Sequence, residues 1–190
     1  NVTLKYSTNL SIMKMGKHNV IDLWKKFKSI KLTISIDGHK ELNHTIRRGS
    51  DWDLLKSNIE LVKRELNNID VIKGTTCISG MNAMELGETA EAIVFELGIH
   101  WHTSRVQWPD FLHANVLSPE QLKIGIDGLN RVFDSLNTPE RRNVMRRQMF
   151  EIHLKGAISW LQSCIDNNKH KEKYKAFTKF NSTITDMDNE

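Results

Sequence analysis

Lys31 to Gly49 reads KLTISIDGHKELNHTIRRG. Leu32, Ile34 and Ile36 fall on one side of an extended segment, and Thr33, Ser35 and Asp37 fall on the other. That period of two predicts a strand with one buried face. Gly38 breaks the strand, and a polar turn leads to Arg47-Arg48-Gly49. A strand that ends in a carboxylate, a glycine and then cations has the composition of a site rim. The carboxylate accepts hydrogen bonds from hydroxyls, and a guanidinium forks onto a carboxylate or phosphate.

Outward from this stretch the chain alternates strand and helix. Upstream, Val2, Leu4 and Tyr6 alternate with Thr3, Lys5 and Ser7 in a strand that ends at Thr8-Asn9. Ile21, Leu23, Trp24 and Phe27 then recur at helical spacing and predict a crossover helix between His18 and Phe27. Downstream, Ser50 with Asp53 reads as a capping box opening a helix to about Leu66, with Leu55, Ile59, Val62 and Leu66 on one face. Asp70 to Ile78 is a third strand, ended by Ser79-Gly80, with Asn82 just beyond. A helix carrying Leu86, Ala90, Ile93, Val94 and Leu97 follows, with Gly98 at its C-terminus, and Ile99 to Val106 is a fourth strand. Ser118-Pro119 and Thr138-Pro139 each read as a cap followed by proline at the first helical position. The second of these helices should bury Phe150, Leu154, Ile158, Leu161 and Ile165. Beyond Asn167 the lysine-rich sequence is expected to fray.

Strand–helix alternation of this kind gives an α/β fold of parallel strands. Four strands make part of a barrel or an open sheet. The strands alternate instead of running apolar throughout, so one face carries polar side chains, expected to be Ser35, Asp37, Thr76, His102 and Ser104. With crossover helices on the apolar face, the polar face points at a cavity. The expected fold is therefore a partial (β/α) barrel followed by C-terminal helices: residues 1–117 form the barrel part, 118–168 a helical extension and 169–190 a polar tail.

Composition bounds the function classes. The 190 residues suffice for one domain with a substantial core, and no apolar run reaches membrane-spanning length. There is no signal-peptide pattern, and two distant cysteines, Cys77 and Cys164, suggest a reducing, cytoplasmic setting and no disulfide framework. The net charge is +4, with basic residues spread along the helices and gathered near the C-terminus. There the Lys169–Lys179 run reads as a solvated helix end, because nucleic-acid binding would need more interleaved aromatics than Tyr174 and Phe177. Cys77 and Cys164 both read as small core hydrophobes.

Thr8-Asn9 at one strand end, Ser35-Ile36-Asp37-Gly38 at the next, and His44-x-x-Arg47-x-Gly49 before a helix resemble the C-terminal half of the radical S-adenosylmethionine (SAM) enzyme core. Thr75-Thr76 through Asn82 and Leu97-Gly98-Ile99 are similar to the same fold. Gln107-x-Pro109 and Leu117-x-Pro119-Glu120 resemble the subgroup with a small "twitch" extension, and the likeness covers about residues 1–137. The resemblance implies a partial (β/α)6 barrel that binds SAM and a [4Fe–4S] cluster, and whose reductive cleavage of SAM gives a 5′-deoxyadenosyl radical that attacks a substrate of unspecified class. It implies that Ser35 bonds the SAM ribose, Arg47 pairs with its methionine carboxylate, Asp37 and Asn9 line the same cavity, and Asn82 and His102 face adenosine or substrate.

Three features depart from that pattern. The CxxxCxxC cluster motif is absent, as is the glycine-rich strand that holds the SAM amino group, and Leu10 stands where glycine is expected after Thr8-Asn9. Because the chain opens at Asn1 inside a strand-like run, the expectation is a C-terminal portion whose cluster ligands lie upstream, inactive by itself. Local readings of the same residues stay open. Asp37-Gly38 is a common turn pair, and Arg48 reads as surface charge. His100 and His102, alternate residues sharing a strand face, could instead ligate a metal in a barrel-type hydrolase. A degenerate, non-catalytic binding module is the third alternative.

Overall fold

The computed structural model describes residues 2–187; Asn1 and positions 188–190 of the expected tail lie outside them. The six strands and seven helices run β1 (Thr3–Thr8), β2 (Lys14–Met15), β3 (His18–Asn19), α1 (Val20–Trp24), β4 (Ser29–Ser35), α2 (Glu41–Ile46), α3 (Trp52–Glu65), β5 (Ile69–Ile78), α4 (Leu86–Glu91), β6 (His100–Arg105), α5 (Pro119–Ser135), α6 (Arg147–Asp166) and α7 (His170–Met187). One sheet has the order β1-β4-β5-β6, every neighbouring pair parallel, and β2 and β3 form a small antiparallel pair. The architecture is α/β, with C-terminal helices after a four-stranded parallel sheet, as the alternating strands imply. No helix among the described residues is long and apolar enough to cross a membrane.

The period-two pattern determines which face is covered. Ile30, Leu32, Ile34 and Ile36 are all wholly buried, and Ile72, Gly74, Thr76 and Ile78 continue that face on β5. Burying each large aliphatic contributes roughly 1.5–3 kcal/mol. Leu55, Ile59, Val62 and Leu66 of the α3 stripe meet them, so the spacing read from the sequence is the packing surface. Gly98 sits at a φ of +59°, as expected for a residue that turns the chain out of a helix. Between α4 and that glycine, Ala92–Glu96 widen into a π-turn.

Several boundaries differ from expectation. The crossover helix is only Val20–Trp24, because the β2–β3 pair takes His18 and Asn19, and Asn19 caps it. Ser50 does not cap α3. Asp51 does, its Oδ1 accepting from the Leu54 amide at 2.9 Å, while Ser50 Oγ accepts from Asn43 at 2.6 Å. Thr138-Pro139 starts only a turn. Arg147 donates to the carbonyls of Leu136 (2.7 Å) and Arg142 (3.3 Å), which pins that turn shut, and α6 begins after Arg146. Ile158 and Ile165 are only partly buried, and Ala157 and Cys164 take their places in the stripe.

The tail expected to fray is helix α7. Phe177 is buried against Gly80 and Val116, the His170 ring bonds the Val116 carbonyl at 2.7 Å, and Lys173 pairs with Asp110. At the other end Leu10, where the resemblance expects glycine, has a φ of +56°, a conformation that glycine adopts without strain. Leu10 is held there by burial, by its amide on Thr8 Oγ1 (2.9 Å) and by Asn58, which donates to its carbonyl (2.8 Å).

Candidate functional site

Side chains on the uncovered sheet face fall into cross-strand rows fixed by the parallel register. Ser35, Thr75 and His102 are successive partners across β4, β5 and β6, and one step toward the strand starts lie Thr33, Lys73 and His100. Thr75, and not Thr76 as expected, faces this side. Thr76 is wholly buried on the apolar face, donating to the Ile36 carbonyl (2.8 Å) and accepting from Trp101 Nε1 (2.9 Å). The adjacent threonines differ in parity, and of their two hydroxyls the one on the apolar face, Thr76, is the one with two partners. Cys77 also lies on the polar side and is half-buried; Cys164 is buried in α6, where desolvation pushes its thiol up to about 11.

The strand ends are braced by a buried polar cluster. Asp37 Oδ2 meets Arg47 Nη2 at 2.7 Å, and its Oδ1 accepts from the Cys77 amide at 2.7 Å. Desolvation raises the Asp37 carboxyl above its ordinary value, against the opposing pull of Arg47 and the Cys77 amide. Asn43, which the sequence reading did not single out, accepts from the Asp37 amide (2.9 Å) and donates to Ser50. Asn82 is wholly buried: its amide donates to the carbonyls of Asp37 (2.8 Å) and Cys77 (3.0 Å), and its Oδ1 accepts from the Ser79 amide (2.8 Å). Asp37, Arg47 and Asn82 therefore come together, but their hydrogen-bonding groups are turned largely on one another and on backbone.

Other expected site residues stand apart from this brace. Asn9 is exposed and accepts from Ser11, beside a separate hollow lined by Tyr6, Leu10, Ile12 and Trp24. Arg48 is exposed. Ser35 is half-buried, next to Thr75 and His102 in the middle of the polar face. Three buried polar atoms there and at the brace have no hydrogen-bond partner: Thr75 Oγ1, His102 Nδ1 and Arg47 Nε.

Beside this row is a cavity of about 480 Å³ over the first half of the strands. Lys5, Lys31, Thr33, Lys73, His100 and His102 rise from the sheet, and Arg146, Met149 and His153 come from α6. The His102 and His153 rings meet edge-on at 4.8 Å. Among the described residues no group of three or more His, Cys, Asp or Glu is arranged to hold a metal ion. The lysines, Arg146 and His153 were not read from the sequence. Alternation on β1, β4 and β5 would have placed the three lysines on the polar face, but nothing local brings α6 over it.

All three imidazoles are held below their ordinary 6.5, first by desolvation, then by neighbouring cations: Arg146 for His100, Lys73 for His102, and His102 with Lys73 for His153. The groups facing them are Lys5 on β1, Lys31 on β4, Lys73 on β5 and Arg146 on α6, and the Asp70 carboxylate pairs with Lys31 at 3.2 Å. Above pH 6.5 the rings are neutral in folded and unfolded chain alike, and their contribution to stability is complete. As pH falls from 6.5 toward the depressed values, the unfolded chain binds protons that the folded cavity resists, and stability is lost. Urea midpoints at about pH 7.5 and about pH 5.5 are expected to differ less in a His102→Gln/His153→Gln variant than in the parent. Equal differences would remove the histidines as the cause.

No family model, curated protein or solved structure matches the chain.

Proposed function

We propose that this chain forms the nucleoside-binding part of a radical SAM enzyme, holding S-adenosylmethionine against the polar face of its sheet. The row Ser35–Thr75–His102 carries the reading. Three small polar side chains from adjacent strands stand side by side, and two of them, Thr75 and His102, have buried atoms without a partner inside the protein. A ribose offers vicinal hydroxyls that both donate and accept, and a serine, a threonine and an imidazole match them in either sense. Asp37 already takes Arg47 Nη2, so a methionine carboxylate would draw on the donors that the guanidinium has left.

The residues do not fit the cluster. Cys77 and Cys164 are the chain's two cysteines, and burial keeps the Cys164 thiol protonated. Ligands for iron would have to come from residues other than these. Bound S-adenosylmethionine would supply an adenosyl group for reductive cleavage. Under this reading Ser35 and Thr75 orient the ribose, Asp37 and Asn82 fix the strand ends beside it, and the apolar face beneath keeps water from one side.

Titration calorimetry of the chain with S-adenosylmethionine tests this. Ser35→Ala is expected to weaken binding about tenfold, the loss of one or two hydrogen bonds to a polar ligand. Unchanged affinity, or no binding by the parent chain, would sink the assignment. The missing cysteine triplet favours a second reading, a module that keeps nucleoside recognition without turnover. Anaerobic reconstitution of the full-length gene product with iron and sulfide separates the two: the enzyme takes up stoichiometric iron, whereas the module binds S-adenosylmethionine without it.

A further inference from the structure

We propose that the cavity between the first half of the sheet and the start of α6 is a binding site for a small phosphate-bearing anion. The proposal goes beyond the S-adenosylmethionine reading and does not rest on it. Lys5, Lys31, Lys73 and Arg146 reach this cavity from β1, β4, β5 and α6, and no carboxylate is among its lining residues. Lys31 is answered by Asp70, whereas Lys5, Lys73 and Arg146 have no ion pair among the described residues. A fold gains nothing by gathering unpaired cations around three imidazoles whose protonation those same cations oppose. A bound anion reverses every one of those interactions.

One further feature lies at the edge of the same space. Helix α6, 20 residues long, begins at the cavity rim with Arg146 in the left-handed conformation and no side-chain cap on its first amides. The Met149 and Phe150 amides bond the Arg146 carbonyl, and the positive end of the helix dipole there favours negative charge.

The donor chemistry selects phosphate over carboxylate. Arg146 can fork onto a carboxylate or a phosphate alike, but the ammonium and imidazole groups around it are point donors with no preference for a planar anion. Several of them converging from different strands surround a tetrahedral oxyanion from more than one side. Ser7 and Thr33 add hydroxyls, and Val71, Met149 and Tyr6 offer apolar surface to the organic part of the ligand. A cavity of about 480 Å³ holds a phosphorylated small molecule, not a run of nucleotides.

Titration calorimetry of the intact chain at low salt, with inorganic pyrophosphate as probe and S-adenosylmethionine omitted, tests the site. Saturable one-to-one binding is expected, weakened about tenfold or more by Lys73→Gln and unchanged by Lys123→Gln on α5. Should Lys73→Gln fail to fold, Arg146→Gln on the exposed rim must show the same loss. Citrate is expected to bind more weakly than pyrophosphate. No saturable binding, equal loss in the α5 variant, citrate as tight as pyrophosphate, or tighter binding of a single-stranded RNA oligomer would each overturn the proposal. None of these results bears on Ser35.

Discussion

Replacing Asn82 by alanine is expected to lower the free energy of unfolding by about 3–5 kcal/mol, although Asn82 lies between elements. The side chain is wholly buried and serves three backbone groups: the carbonyls of Asp37 and Cys77 and the amide of Ser79. Alanine leaves all three without their partner in a place water does not reach. A buried unpaired donor or acceptor costs about 1–3 kcal/mol, and small rearrangements recover part of that. Asn82→Asp is expected to be as damaging, since a carboxylate keeps the Ser79 bond but confronts two carbonyl oxygens. Urea denaturation checks both. A shift below about 1 kcal/mol for either would mean that the strand ends are not held by this residue.

Gly125→Ala on α5 should be of similar size for the opposite reason, too much matter instead of too few bonds. A Cβ built on Gly125 would lie 2.0 Å from the Ala83 carbonyl oxygen and 3.0 Å from its carbon. Backbone faces backbone there, so no side chain can turn aside, and α5 must shift as a body. Overpacking of this kind costs typically 1–3 kcal/mol, and about 3 kcal/mol or more is expected where the obstacle is main chain. Gly128 and Gly156 supply the contrast. The nearest atom to a Cβ at Gly128 is 3.6 Å away, and at Gly156 nothing lies within 4 Å. Both sit inside helices, so their alanine variants are expected to be neutral or more stable by up to about 1 kcal/mol. Thermal unfolding of the three variants side by side tests the ordering, and a benign Gly125→Ala would contradict the packing described.

The apolar half of the sheet was legible because burial writes itself into alternation. Ile30, Leu32, Ile34 and Ile36 share one face, and a one-residue error would have turned them all outward. Thr75 and Thr76 show the limit of that logic. Both are β-branched and polar, and although Ile72 and Ile78 share the parity of Thr76, Val71 and Cys77 stand at that of Thr75 and blur the count. The end of the first strand was not legible: Leu10 takes a positive φ that a leucine does not announce. Asp37 and Arg47 were picked out as a rim and do stand together, but no local pattern says that they bond each other. The start of α6 was misread because Thr138-Pro139 carries a strong cap signal. The chain uses it for a single turn, and the donors of Arg147 that hold it come from the next helix.

The placement of α6 has one more consequence. Phe150 packs on Trp101 on the apolar side, while His153, three residues on, meets His102 on the polar side. Trp101 and His102 are neighbours on β6, so a helix touching both lies along that strand's outer margin. The border of the sheet is thus covered at Trp101 and His102, while Ser104 and Arg105 beyond them stay exposed, and the margin of β1 has no strand beside it among the described residues. A strand joining beside Thr3–Thr8 would lengthen the wall of the hollow without displacing α6.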